Sequence, residues 1–349
     1  MDDSTRYQRN IARGMERAWE GAETEEVRRD LEDLHLVIFS DHHRGLRGKT
    51  DDFRLCEQAY CAALGYYLEQ GYDLHLLGDV EELWGHDPRK VMETYPETLA
   101  LEEQFLARGV LYRYWGNHDD LWSDPRTVDE LLRPAYKRGI EVREALRLVV
   151  EEEGKEVGTL FLAHGHQGEF WSDRHGKKTR WFVRTFWRPY KRLSRTPSST
   201  PATDNRLRKR HNIAMYLWAR THPGMALIAG HTHKPVFLMH ENVEAMRAGL
   251  EINREDRDVD MQELARERAD LEWVRAGQRH RFYEMDELLR PLCPCYFNTG
   301  CCSFADGEIT GIEITEGRIR LVQWPDDRGR PRPRTLASAD LREVLGDLR

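Results

Sequence analysis

Five short motifs run in one order along this chain, and each offers donors for a divalent cation. They are Ser40-Asp41-His42-His43, Gly78-Asp79, Gly116-Asn117-His118-Asp119, Ala163-His164-Gly165 and Gly230-His231-Thr232-His233. Carboxylate, imidazole and one amide oxygen form a donor set that suits hard or borderline ions such as Mn, Fe or Zn. Each motif alone also has an ordinary reading. Asp79 with Glu81 and Glu82 suits the positive end of a helix starting there. Gly116-Asn117 makes an ordinary turn, and a lone His164 is a satisfied buried histidine. Local helices and turns give no reason for such a pattern to recur five times between Asp41 and His233.

The elements that must position these donors are legible in the flanking residues. Each motif follows an apolar run of strand type: 36–39, 74–77, 110–115, 160–162 and 226–229. Ligands at strand ends, on loops held by a rigid sheet, are what a metal site needs. Between the runs, 51–70 and 94–108 are helical in pattern. Residues 142–150 and 156–162 read as a strand pair turning at Glu153-Gly154-Lys155. Late strands are expected near 296–298, 308–315 and 318–324, with Glu316-Gly317 as the hairpin turn between the last two. Residues 1–34 read as an N-terminal helical extension of one or two polar helices, with Tyr7, Ile11, Met15 and Trp19 at spacings of four. The central domain is expected over 35–325, with insertions at about 165–223 and 240–292. A loose C-terminal tail with a final helix from about 338 is expected over 326–349. The fold class is α/β with segregated parts (α+β).

The motif set strongly resembles that of the calcineurin-like metallophosphoesterases, over about residues 35 to 325. The resemblance implies two sheets packed face to face with helices outside, an αββα sandwich with helical insertions. It implies two divalent metal ions, Mn foremost with Fe or Zn as alternatives. Asp41, His43, Asp79 and His233 would surround one ion. Asn117, His164 and His231 would hold the second, with Asp79 bridging the two. The family's Asp-x-His spacing selects His43 over His42, which then points to the other face of the strand end. The implied activity is hydrolysis of a phosphate ester or diphosphate by a metal-bridging hydroxide in an in-line displacement. His118 would stand beside the ions unligated and give a proton to the leaving oxygen. Asp119 either fixes the His118 imidazole or is a solvated loop carboxylate or helix cap.

Charge is distributed unevenly. The segment 165–223 holds fourteen Lys or Arg against three acids, in a chain of net charge −8. It is interleaved with aromatic residues and inserted between two metal-ligand motifs. Arg180, Arg184 and Arg188 lie four residues apart, share one face of a helix, and are the candidate contacts to an anionic phosphate-ester substrate. Three readings stand for this segment: a solvated basic surface, a lid making peripheral membrane contact, and a nucleic-acid groove. The pI near 6.0 counts against the last. The run Gly78-Asp79-Val80-Glu81-Glu82-Leu83-Trp84 resembles the corresponding stretch of UDP-2,3-diacylglucosamine pyrophosphohydrolases, which cleave a lipid-linked diphosphate at the membrane surface. Those enzymes typically place Arg after the Asn of the third motif. This chain has His118 there, which favours the general phosphoesterase reading. The segment 240–292 is either a dimerisation arm or a solvated spacer.

A chain of 349 residues with 40% hydrophobic residues and ten tryptophans can build a substantial core. No apolar run reaches the length needed to span a bilayer. The first residues lack a signal-peptide stretch, so a cytoplasmic location is expected. Cys293, Cys295, Cys301 and Cys302 lack the Cys-x-x-Cys spacing of structural zinc knuckles. Reduced cysteines packed as small apolar groups are expected over metal or redox chemistry. A non-catalytic binding module would have no need of the complete ligand set.

Overall fold

The structure is a computed structural model and describes residues 3–21, 24–168, 205–237, 295–326 and 328–346. The chain divides into two compact units, 1–236 with 295–349, and 237–294. Only Phe237 of the second unit is described.

In chain order the strands are β1 (Thr24–Asp30), β2 (Leu36–Phe39), β3 (Asp73–Leu77), β4 (Leu111–Tyr114), β5 (Val142–Arg143), β6 (Ala145–Glu152), β7 (Lys155–Ala163), β8 (Met225–Ala229), β9 (Pro235–Phe237), β10 (Tyr296–Thr299), β11 (Ile309–Thr315), β12 (Arg318–Trp324) and β13 (Arg334–Asp340). They form two sheets. One has six strands in the order β1-β6-β7-β8-β10-β9, the other seven in the order β13-β12-β11-β2-β3-β4-β5. Helices and two multi-strand sheets make this a mixed α/β chain. Strands β2, β3 and β4 are parallel neighbours, as are β7, β8 and β10. β2 and β8 are buried at every residue. Their unbroken apolar runs fit strands covered on both faces.

The helix α2 (Phe53–Glu69) buries Phe53, Cys56, Tyr60, Ala63, Leu64 and Tyr67 at spacings of three and four, one apolar stripe. That stripe packs with Val37, Phe39, Leu74 and Leu76 of β2 and β3 in the main core. The helix expected over 94–108 is α4 (Pro96–Ala107), and a further helix, α3 (Pro88–Thr94), precedes it. The break falls at Tyr95, because a residue before proline is pushed out of the helical region. Glu316 and Gly317 join β11 to β12 with φ of 53° and 67°, the left-handed pair that a two-residue hairpin turn requires. The register pairs Thr315 with Arg318.

Two segments differ from the sequence expectation. Residues 1–34 are helical only in their first part. The helix α1 covers Asp3–Glu20, and β1 then adds to the six-stranded sheet in parallel with β6. β1 reads as polar because most of its side chains are exposed. Main-chain pairing holds it, aided by Arg28 on Glu151 at 2.6 Å and by Arg143 on Glu25. The tail holds the expected final helix, Leu341–Gly346, which buries Leu341, Val344 and Leu345, but the stretch before it is not loose: β13 pairs antiparallel with β12. Only Ala339 among the apolar residues of β13 is buried, so no alternation marks the strand.

Of the basic insertion, residues 169–204 lie outside the described residues, and Arg180, Arg184 and Arg188 with them. Asn205–Ala219 is a helix. It meets α1 through Trp218 Nε1 donating to Glu16 at 2.9 Å and through Tyr7 Oη against His211 Nδ1 at 2.9 Å. The expectation for 240–292 also falls outside the described residues. Among the described residues, no helix is long and apolar enough to cross a membrane.

Candidate metal centre

All five motifs emerge at the carboxyl ends of strands, from β2, β3 and β4 in one sheet and from β7 and β8 in the other. Crevices at those ends are where open α/β sheets present side chains to ligands. Main-chain bonds knit the loops. Asp41 N donates to Gly78 O at 3.1 Å, His43 N to Asp79 O at 3.0 Å, and Gly230 N to His164 O at 2.9 Å. His164 Nδ1 lies 2.8 Å from Leu77 O and ties the two sheets together. A proton on Nδ1 for that bond leaves Nε2 as the donor atom facing the site.

The two aspartates are held alike. Asp41 Oδ2 accepts from His231 N at 2.8 Å and from the Ser40 hydroxyl. Its Oδ1 faces imidazoles, 3.2 Å from His233 Nε2 and 3.8 Å from His43 Nε2. Asp79 Oδ1 accepts from His118 N at 2.7 Å. Its Oδ2 lies 3.2 Å from His164 Nε2 and 3.8 Å from His43 Nε2. In each case one oxygen is anchored and the other is presented to the histidine cluster. His43 Nε2 and His233 Nε2 stand 2.9 Å apart.

Donor atoms of Asp41, His43 and His233 all lie within 4.8 Å of one another, and so do those of Asp79, His164 and His231. Asp79 borders both groups through His43 and His164. Asn117 Oδ1 is buried without a hydrogen-bond partner. Leaving such an atom unsatisfied costs about 1–3 kcal/mol, a cost that a coordinated cation removes. The donor chemistry and this atom fit a divalent cation.

Backbone strain is concentrated here. Of the nine described non-glycine residues with positive φ, five are Asp41, His43, Asp79, His231 and His233, between 50° and 69°. Such conformations cost of order 1–3 kcal/mol each and persist where the surroundings over-determine them. Close packing is the other constraint. A Cβ at Gly116 would meet Asp79 Oδ1 at 2.2 Å, and one at Gly230 would meet Asp41 Oδ2 at 2.5 Å.

The carboxylates and imidazoles of the cluster shift one another's ionisation. Burial opposes ionisation of Asp41, but His233 and His164 hold its carboxyl well below the usual range. Burial likewise opposes Asp79, which His164 and His118 bring well below it. Burial lowers His164, and the Asp79 and Asp41 carboxylates outweigh it, raising the imidazole to about 9. Burial lowers His233 and the neighbouring His43 adds to that, so its imidazole stays below the ordinary value despite Asp41.

His42 points away from this cluster. Its ring lies 4.7 Å from that of Tyr60 and 5.6 Å from that of Phe53, fully buried. His118 stands beside the cluster and is held from two sides. Its Nδ1 lies 2.6 Å from Glu82 Oε2, and the Trp84 indole stacks on it at 4.0 Å and 14°. Trp84 Nε1 also donates to Asn117 O at 2.6 Å. Glu82 is the functional residue that sequence reasoning missed. It was read with Glu81 as helix-start acid, but no helix begins there. The available signal was its place in the run from Gly78 to Trp84.

The Asp119 side chain does not reach His118, is not solvated, and makes no capping bond to the short helix Asp120–Ser123 that it precedes. Its carboxylate is fully buried and accepts from Gly116 N at 2.6 Å, Val80 N at 2.8 Å and Asp79 N at 3.3 Å. Three main-chain donors beneath the loops capture it, so it braces the Asp79 loop. Burial and the neighbouring Asp79 and Glu81 carboxylates push it up to about 7. Cys295, Cys301 and Cys302 are buried, and burial pushes the Cys301 thiol up to about 12. Cys293 lies outside the described residues.

No protein-family model matches this chain, and a search of curated proteins finds no match.

Proposed function

We propose that this chain is a metal-dependent phosphoesterase with a dinuclear centre, and that its two sheets form the αββα sandwich of the calcineurin-like metallophosphoesterases. The observation that carries the reading is the convergence of six carboxylate and imidazole donors, from four strand ends, into two adjoining groups. Asp41, His43, Asp79 and His233 would hold one cation, and Asn117, His164 and His231 with Asp79 the other. When bound, the cations supply Lewis acidity, polarising a phosphoryl group and acidifying water.

The chain's own residues do the rest. In Asp41 and Asp79 a main-chain donor anchors one oxygen, so each carboxylate presents the other without reorganisation. His118 supplies the proton for the departing oxygen. Glu82 occupies its Nδ1 side, which leaves Nε2 as the nitrogen that can meet a substrate. Trp84 limits rotation of the ring by stacking. At 20% side-chain exposure His118 is reachable from solvent, as a leaving-group acid must be.

The test is a substrate panel. Protein stripped of metal and reloaded with Mn is assayed on bis-p-nitrophenyl phosphate, p-nitrophenyl phosphate and nucleotide-sugar diphosphates. Mn-dependent turnover of at least one is expected, and the preferred member identifies diester, monoester or diphosphate chemistry. A protein that binds two cations and turns over none of the three classes would refute the reading.

A further inference from the structure

Beneath the metal-binding loops lie four charged side chains that take no part in the chemistry above. Arg44, Glu81, Glu102 and Arg113 are each at most 2% exposed. Arg44 grips both oxygens of Glu102, Nη1 to Oε2 at 3.2 Å and Nη2 to Oε1. Arg113 Nη2 donates to Glu81 Oε2 at 2.5 Å. Hydroxyls and an indole join the pairs: Tyr60 Oη donates to Glu102 Oε1 at 3.0 Å, Tyr136 Oη donates to Glu102 Oε2, Arg113 Nη1 donates to Tyr136 Oη at 2.9 Å, and Trp122 Nε1 donates to Glu81 Oε2 at 2.8 Å.

The members come from every loop of the seven-stranded sheet that carries a ligand. Arg44 follows His43, Glu81 lies two residues after Asp79, and Trp122 follows the Asn117-His118-Asp119 turn. Arg113 is in β4 and Glu102 in α4. Main-chain bonds link the same loops, Arg44 N to Val80 O and Glu82 N to Arg44 O, both at 3.0 Å.

Stability alone is a poor account of this network. Buried ion pairs gain little over apolar residues of the same volume, because desolvation offsets the attraction. This one is also incompletely satisfied, since Arg44 Nε, Arg113 Nε and Glu81 Oε1 make no hydrogen bond. Directional pairs do specify geometry, however, and geometry is in demand here. Asp41, His43 and Asp79 hold left-handed backbone conformations that only an over-determined setting maintains.

We propose that Arg44, Glu81, Glu102 and Arg113 are positioning residues, a buried clamp that sets the Asp41, Asp79 and Asn117 loops for cation binding. The inference rests on the metal reading above. It separates two properties that usually move together: removing the clamp's charges in pairs spares the fold and loosens the site.

The test is the double variant Arg44→Met with Glu102→Gln. Methionine puts an apolar end where the Arg44 guanidinium lies over the Phe53 and Tyr60 rings, at 5.0 and 5.4 Å, glutamine keeps partners for both tyrosine hydroxyls, and no lone charge is left behind. The probe is Co(II), titrated into metal-free full-length protein by its visible absorption, with a thermal melt on the same samples. Expected is a cooperative melt near wild type and a Co(II) affinity lower by about 10- to 100-fold, the usual effect of losing an outer partner of a metal ligand. A folded double variant that binds Co(II) as tightly as wild type, with the same absorption bands, overturns the clamp. Should the double variant not fold, Arg44→Lys takes its place. It keeps the charge and loses the two-pronged grip, so reduced affinity again supports the clamp and wild-type affinity overturns it. Wild-type protein that takes up no Co(II) overturns the metal reading and the clamp together.

Discussion

Replacing Glu82 by glutamine keeps the side chain's volume and removes its charge, which makes it the sharpest probe of how His118 works. The Glu82 carboxylate lies 2.6 Å from His118 Nδ1 and 3.5 Å from His43 Nδ1. Burial opposes its ionisation, but His118 and His43 hold it well below the ordinary glutamate value, so the wild-type bond to His118 is charge-assisted. A hydrogen bond to a charged group contributes about 1.5–3 kcal/mol and a neutral one about 0.5–1.5 kcal/mol. The side chains are 20% and 25% exposed, which favours the low end of that difference, about 1 kcal/mol. Glu82→Gln should therefore lower kcat roughly five- to tenfold at saturating Mn. His118→Ala should lower it about 100-fold or more with both cations retained. Because Glu82 acts on turnover through His118, adding Glu82→Gln to His118→Ala should cost nothing further in kcat. Its contact with His43 should appear separately, as a higher Mn concentration for half-activation. Steady-state kinetics on the four proteins, with Mn titrated at each, give the full cycle. An equal loss from Glu82→Gln with and without His118 would refute the coupling. Loss of both cations in His118→Ala would reassign His118 as a ligand.

Three further outcomes follow from the site. Gly116→Ala drives a Cβ to within 2.2 Å of Asp79 Oδ1, so it should reduce Mn content and activity together, as Asp79→Asn should; metal analysis showing two ions per chain in both would remove Asp79 from the bridging position. Metal binding should depend on pH, because His164 in the metal-free protein is raised to about 9 and a cation must displace that proton. Affinity should rise with pH toward 9 and level off above it, while the stability that protonated His164 lends the metal-free protein is complete below about 6.5 and lost as pH rises through 9; calorimetric titration at pH 6.5, 7.5, 8.5 and 9.5 checks the first and melts at the same pH values the second, and an affinity flat across that range would contradict the first, a melting temperature flat across it the second. Neutralising Arg180, Arg184 and Arg188 together should raise KM for the physiological anionic substrate while hydrolysis of a small chromogenic ester changes little; a variant indistinguishable from wild type on every substrate, on anionic vesicles and on single-stranded nucleic acid would make the basic segment a solvated surface.

The donors were legible in the sequence because each follows an apolar run, and such a run reports burial directly. Leu36–Phe39 and Met225–Ala229 are buried throughout, and the residues just past them reach the site. The α2 stripe and the Glu316-Gly317 turn were legible for the same local reason: one is a periodicity, the other a two-residue conformational demand. Edge strands β1 and β13 were not, because main-chain pairing holds them and their side chains are mostly exposed, so no alternation is imposed on their residues. The roles of the acids were decided only by tertiary structure. Glu81, Glu82 and Asp119 sit within a few residues of ligand motifs and look interchangeable in sequence. The fold sends Glu82 to His118, Glu81 down to Arg113, and Asp119 under three main-chain amides. Each role depends on a partner some distance along the chain or on a loop's path, and no local pattern of polarity encodes either. The sequence by itself determined which atoms are available to a metal. The packing of two sheets determined which of them face one another, because that distance is set by strand register and loop geometry.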